Sequence, residues 1–82
     1  MTDAEVFERL SGVLREVFDD DALALAPEMS ARDVEGWDSL ANVRVILSVE
    51  EGFGIRFRAS EVGRQENLGA FVQLIQAKLA RA

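Results

Sequence analysis

The segment from Asp38 to Gly54 constrains the fold most, because its apolar residues recur at helical spacing on two different faces. At about 100° per residue, one face carries β-branched and aromatic side chains, and the nearly opposite face carries leucines and a valine. The first face comprises Val45, Ile46, Val49 and Phe53, and the second comprises Leu40, Val43, Arg44, Leu47 and Glu51. A small helical domain has one core, so we expect the first face to be buried. An exposed second face would then be a contact surface.

Both ends of this helix have residues that are typical of helix termini. Asp38 is a good N-cap, which places Ser39 and Leu40 in the first helical turn. Gly52 and Gly54 mark the other end, since glycine readily adopts the left-handed conformation that closes a helix. The sequence therefore predicts a helix with a serine hydroxyl at its N-terminus.

Two further helices are predicted, one before and one after this segment. The first begins with a capping box formed by Thr2 and Glu5, and the last is capped by Asn67 and extends to Ala80. Their apolar residues at helical spacing are Val6, Leu10, Val13, Leu14 and Val17 in the first helix, and Leu68, Phe71, Val72, Ile75 and Leu79 in the last.

The connections between these helices are also partly apolar. The first runs from about Phe18 to Trp37 and contains Leu23, Leu25 and Met29, which we expect to fold back over the core. The second contains an alternating run, interpreted as an extended loop with Ile55 and Phe57 turned inward, and a short helix at Ser60–Val62. We therefore expect an all-α, four-helix fold with three main helices and one short helix, in a single domain of residues 1–82.

Composition excludes several classes of function. A chain of 82 residues buries only about 60% of its unfolded surface, which favours a small binding or carrier module over an enzyme. Its net charge of −6 argues against nucleic acid as a partner. Without cysteine or histidine it has no thiolate or imidazole metal site and no Ser-His-Asp triad. No signal peptide or membrane span is evident, so we expect a cytoplasmic protein without membrane contact.

The order Asp38-Ser39-Leu40, a helix, and then Glu50-Glu51-x-Phe53 resembles the acyl and peptidyl carrier proteins. The resemblance implies a four-helix fold with a long loop ahead of the serine-bearing helix. It implies that Ser39 carries a 4'-phosphopantetheine arm, derived from coenzyme A, whose thiol holds substrates as thioesters. By the same resemblance, Asp38 and Leu40 help a phosphopantetheinyl transferase to recognise the serine.

The resemblance also implies partners for a non-enzymatic, monomeric carrier. An acyl- or aminoacyl-activating ligase or an acyltransferase would load the thiol, and downstream biosynthetic enzymes would use the thioester. We expect them to bind the exposed face of the serine-bearing helix, at Leu40, Val43, Arg44, Leu47, Glu50 and Glu51.

Two residues depart from the pattern of fatty-acid carriers. Many of those proteins have a carboxylate about one turn after the serine, where this chain has Arg44. Trp37 replaces a small or aliphatic residue and is more like carriers of polyketide, aminoacyl or sugar-acyl pathways. Both departures indicate a specialised, freestanding carrier. For Trp37 itself, an aromatic core residue that closes the loop against the last helix is preferred to a substrate contact.

One alternative from another class fits the same pattern of residues. A small helical interaction module, of the death-fold or sterile-alpha-motif kind, would use Leu40, Val43 and Leu47 to bind another helix without modification of Ser39. A serine hydrolase is excluded, because the chain lacks histidine and the Gly-x-Ser-x-Gly elbow.

Overall fold

The computed structural model describes residues 1–61, 63 and 65–81, and the regular structure in them is entirely helical. The elements are α1 (Asp3–Val17), a 3₁₀ helix (Ala31–Asp33), α2 (Ser39–Phe53) and α3 (Leu68–Arg81). The predicted all-α fold with three main helices is confirmed. Among the described residues, no helix combines the length and the apolar character needed to cross a bilayer.

The helix starts follow the predicted caps. The Thr2 hydroxyl accepts a hydrogen bond from the Glu5 N–H at 3.1 Å, and the Glu5 carboxylate accepts one from the Thr2 N–H at 2.8 Å. At α3, the Asn67 side-chain oxygen accepts from the Ala70 N–H at 2.8 Å. These bonds satisfy backbone donors that have no partner within the helix, so each helix begins at a residue specified by its local sequence.

Helix α1 packs against both α2 and α3, and the core lies between the three helices. Among the described residues, the largest fully buried side chains are Val6, Leu10, Leu14, Val45, Val49 and Ile75. Ile46 and Phe53 are also buried, whereas Leu40, Val43 and Leu47 are exposed. The predicted orientation of α2 is therefore confirmed.

The long first connection is held against the start of α3. The Leu68 N–H donates to the Met29 carbonyl and the Gly69 N–H donates to the Pro27 carbonyl, both at 2.8 Å. Leu23, Leu25 and Met29 pack on the core as predicted. Since α3's first N–H groups bond to this connection, the connection forms one wall of the space between α2 and α3.

The 3₁₀ helix in this connection was not predicted. It is preceded by Ser30, whose N–H donates to the Asp33 carboxylate at 2.9 Å. Ser30 and Asp33 have the spacing of a capping box, so a local signal for a helical turn was present in the sequence.

The second connection has the inward-facing residues that were predicted. Gly54 closes α2 with a φ of 68°, a left-handed conformation that favours glycine. Beyond it Ile55 is buried, and the ring of Phe57 lies 5.8 Å from that of Phe71 in α3. Of the predicted short helix, Ser60 and Glu61 form a turn, and Val62 lies outside the described residues.

An ion pair fixes this turn to α3. The Glu61 carboxylate accepts from the Arg58 N–H at 2.7 Å and lies 2.6 Å from the Lys78 ammonium. The hydrogen bond from Arg58 and the bond to Lys78 hold the pKa of Glu61 below its ordinary value. A carboxylate with a lowered pKa stabilises the fold above its unfolded pKa and loses that effect as the pH falls through the folded pKa.

The two faces of α2 give a direct test of this packing. We expect Ile46→Ala or Phe53→Ala to lower the free energy of unfolding by about 2–5 kcal/mol, because each removes buried apolar volume. Val43→Ala or Leu47→Ala is expected to change it by about 0.5 kcal/mol, because those side chains are exposed. Thermal or denaturant unfolding of the four variants checks this order, and the reverse order would mean that α2 is rotated by half a turn.

Candidate functional site

Ser39 is the first residue of α2 and its side chain is exposed. The chain turns at Gly36, which has a φ of 86°, and is extended at Asp38, the N-cap residue. The Asp38 carboxylate accepts from the Ala41 N–H at 2.9 Å and thereby fixes the first turn of the helix. The serine hydroxyl is thus held at a rigid helix end in contact with solvent.

The backbone around this hydroxyl favours an anion. The N–H groups of Ser39 and Leu40 belong to the first turn, where a helix provides no acceptor for them. The positive end of the helix dipole lies at the same place. A phosphate ester on Ser39 is therefore compatible with its surroundings, since helix N-termini bind phosphate groups in this way. Among the described residues, no cluster of acidic side chains is suited to a metal ion.

Leu40, Val43 and Leu47 continue from Ser39 along the solvent side of α2. Their exposed fractions are 74%, 52% and 58%, which are high for large apolar side chains. Contiguous exposed apolar side chains with charged neighbours are typical of a contact surface. We call this surface the docking face and define it by Leu40, Val43, Arg44, Leu47 and Glu51.

The docking face borders a charged groove between α1 and α2. The groove has a volume of about 390 Å³ and includes Val13 and Glu16 of α1, with Arg44, Ser48 and Glu51 of α2. The Arg44 guanidinium and the Glu51 carboxylate thus belong to both the docking face and the groove. A partner that covers the apolar side chains would also come close to these two charges.

Glu50, the other glutamate of the expected acidic pair, contacts the loop after α2. The Glu50 side chain is 11% exposed, and its carboxylate lies 3.8 Å from the Arg56 guanidinium. The same carboxylate accepts from the Phe57 N–H at 2.8 Å. Glu50 therefore bonds to the loop after α2, whereas Glu51 is exposed. The role of Glu50 in partner binding stays a prediction.

Trp37 packs against the core, as one of the two interpretations of the sequence expected, and its contacts are with Phe18 and Asn42. Its ring centroid lies 5.5 Å from that of Phe18, and its indole N–H donates to the Asn42 side-chain oxygen at 3.0 Å. A cavity of about 80 Å³ lies beside it, between the 3₁₀ helix, the start of α2 and the start of α3. Helical spacing gives no signal for this cavity, because three segments distant in sequence form its walls.

No protein-family model matches the chain. The chain is 31% identical over 77 residues to an acyl carrier protein of Saccharopolyspora erythraea, a match that covers 94% of this chain and 81% of that protein. The solution NMR structure of a holo acyl carrier protein from Geobacter metallireducens has a TM-score of 0.84 and 38% identity. That similarity covers 93% of this chain and 87% of the other. The sequence comparison and the structure comparison thus both find acyl carrier proteins.

Glu50 and Glu51 provide a matched pair for a stability test. Glu50→Ala removes the acceptor of the Phe57 N–H, so we expect the free energy of unfolding to fall by about 1–3 kcal/mol. Glu51→Ala removes an exposed carboxylate and is expected to change it by no more than about 0.5 kcal/mol. Urea unfolding of both variants measures the difference. Equal losses would show that the bond between Glu50 and the loop contributes nothing beyond a surface charge.

Proposed function

This chain belongs to the acyl carrier protein family, and from that premise we propose that Ser39 carries its 4'-phosphopantetheine arm. Like the other members of this family, the protein is a carrier and not an enzyme. The observation that supports Ser39 is its position, an exposed hydroxyl at the N-terminus of α2 directly after the Asp38 cap. Family membership also decides between the carrier and the unmodified interaction module in favour of the carrier.

The residues around Ser39 fit a phosphodiester. When attached, the arm supplies a thiol that holds an acyl or aminoacyl group as a thioester. Asp38 keeps the first turn of α2 in place, and the N–H groups of Ser39 and Leu40 lie where a phosphate oxygen is favoured. The chain has no histidine, the most common base for activating a serine hydroxyl, and we expect the transferase to supply the base.

We assign the docking face to the enzymes that modify, load and use the carrier. A phosphopantetheinyl transferase has to reach Ser39, and Leu40 is the exposed side chain directly beside it. Loading and downstream enzymes must reach the end of an arm that starts at the same place. Contacts along Leu40, Val43 and Leu47 would provide apolar area, and Arg44 and Glu51 would provide the charges that distinguish partners.

The first prediction for this function concerns the attachment site. A broad-specificity phosphopantetheinyl transferase with coenzyme A should convert the protein to a form heavier by one phosphopantetheine, and Ser39→Ala should abolish the conversion. Intact-protein mass spectrometry measures the mass. Ser48→Ala, a second serine substitution in α2, is the control and should be modified like the wild type. Modification that persists in Ser39→Ala would place the attachment at another residue.

The second prediction concerns partner choice and rests on Arg44. A guanidinium on the docking face repels the basic patches that we expect on general fatty-acid elongation enzymes, and salt screens such a contact. The modified wild type should therefore be a poor substrate for these enzymes. Arg44→Glu should be a better one, with the largest gain at low ionic strength.

The measurement is an elongation assay across a salt series. Arg32→Glu is the matched control, because it makes the same change in net charge at an exposed position of the 3₁₀ helix, away from the docking face. Equal rates for wild type and Arg44→Glu at low salt would show that this position does not set specificity. Equal gains in both variants would assign the effect to net charge.

A further inference from the structure

A second charged surface lies at the end of α2 that is opposite Ser39. The helix has 15 residues, so its last residue lies about 21 Å from Ser39 along the helix axis. Two grooves meet at this end, one along α2 and one that reaches the last turn of α3, and they share the residues that follow α2. We call the combined surface the distal surface and define it by Leu47, Gly54, Ile55, Arg56, Lys78 and Arg81.

Cations gather on the distal surface of a protein that is acidic as a whole. The chain has 9 basic and 15 acidic residues. Three of the basic residues, Arg56, Lys78 and Arg81, line one groove of about 240 Å³. The described residues of that groove include no acidic side chain. The α3 end of the distal surface is therefore locally positive.

These three cations are neutralised to different degrees. The Lys78 ammonium lies 2.6 Å from the Glu61 carboxylate and its side chain is largely buried, so its charge is used within the fold. The Arg56 guanidinium lies 3.8 Å from the Glu50 carboxylate, and its side chain is 89% exposed. An ion pair of that length and exposure is weak. Arg81 is exposed at the end of α3. Arg56 and Arg81 are thus the cations that a partner can reach.

The other end of the distal surface is apolar and acidic. Exposed Leu47 and buried Ile55 line its groove of about 600 Å³, together with Glu51. Gly54 leaves this groove open, because a Cβ at that position would meet no other atom within 4 Å. Its φ of 68° also disfavours replacement by a larger residue. A bound segment would place an apolar side chain at this end and its carboxylates at the α3 end.

The sign and the size of the distal surface select the occupant. A lipid bilayer or a nucleic acid is a broad anionic surface, and the rest of this protein, with a net charge of −6 for the chain, would repel it. An extended segment of about six residues spans about 20 Å. The shortest dimension of the molecule is 21 Å, so such a segment can stay within one side of the protein. A short acidic segment of a protein fits best.

We propose that the distal surface binds an acidic segment of a partner protein, with one apolar side chain beside Leu47 and carboxylates at Arg56 and Arg81. Because the surface lies at the opposite end of α2, a partner held there leaves Ser39 accessible to a second enzyme. Such a tether raises the effective concentration of the carrier near the enzymes that use it. The interaction itself needs no arm on Ser39, so it goes beyond the proposed function.

The test uses the unmodified full chain and a fluorescein-labelled peptide of one leucine, one glycine and four glutamates. Fluorescence anisotropy at low ionic strength measures the affinity, and the backbone amide resonances of the protein locate the contact. We expect the resonances of Gly54, Arg56 and Arg81 to shift and that of Ser39 to stay in place. A peptide with lysine in place of each glutamate should not bind, and replacement of its leucine by serine should weaken binding.

Two substitutions remove the accessible cations without adding a charge. Arg56→Gln and Arg81→Gln change exposed side chains, so we expect both variants to fold, which the amide spectrum verifies. Each should weaken peptide binding about threefold to fivefold, and the double variant about tenfold, because each removes one exposed ion pair. Arg32→Gln is the matched control. It makes the same change in net charge at an exposed position of the 3₁₀ helix and should bind the peptide like the wild type.

The rate of modification tests the separation from Ser39. In saturating peptide, the transferase should attach phosphopantetheine at the same rate as without peptide, as measured by intact-protein mass spectrometry. Peptide binding is measured on the unmodified protein, so its outcome does not depend on whether Ser39 accepts an arm. Failure of attachment would refute the proposed function and leave the peptide result in place.

Five results would overturn the proposal. The first is that the peptide does not bind. Shifts at Val43 without shifts at Arg56 would assign the contact to the docking face. Equal weakening in Arg32→Gln would assign it to net charge. Binding to vesicles of phosphatidylglycerol and phosphatidylcholine in equal parts, without binding of the peptide, would identify a lipid surface as the occupant. Slower modification of Ser39 in saturating peptide would show that the segment blocks the transferase.

Discussion

Burial of one face of α2 determines where the side chains of the proposed site lie. Val45, Val49 and Phe53 are packed into the core, which sets the rotation of the helix about its axis. Because a helix of four turns is rigid, that rotation also decides which side chains face solvent. The docking face becomes exposed as a direct consequence, and Asn42 is turned toward the space beside α3. The positions of the docking face and the cavity therefore follow from the packing of the buried face of α2 into the core.

The helices and their orientation could be predicted because they depend on local signals. The Asp38 and Asn67 caps act within three residues of themselves, and the buried face follows from a period of 3.6 residues. The exposure of Leu40 could be predicted for the same reason. A side chain's angle around a helix is fixed by its position in the sequence, so two opposite apolar faces can be separated without knowledge of the partners.

Features that depend on contacts between distant segments could not be predicted. Glu50 and Glu51 are adjacent and chemically identical, yet Glu50 bonds to the Phe57 N–H because of the path that the loop takes after Gly54. Helical spacing does not describe that path. The cavity was missed because its lining comes from segments that are distant in sequence. In both cases the contact depends on the path of the chain, which helical spacing does not describe.

The docking face and the side chain that contacts Trp37 lie on different sides of α2. Asn42 and Val43 are adjacent in sequence, but a step of about 100° turns Asn42 toward Trp37 and Val43 toward solvent. Side chains that share no contacts generally contribute additively to free energies. Under the proposed function, the charge at Arg44 can therefore affect which enzymes bind without disturbing the hydrogen bond between Trp37 and Asn42. Both sides begin at the first turn of α2, so the contacts that fix the proposed attachment site and the surface that a partner would cover use separate side chains.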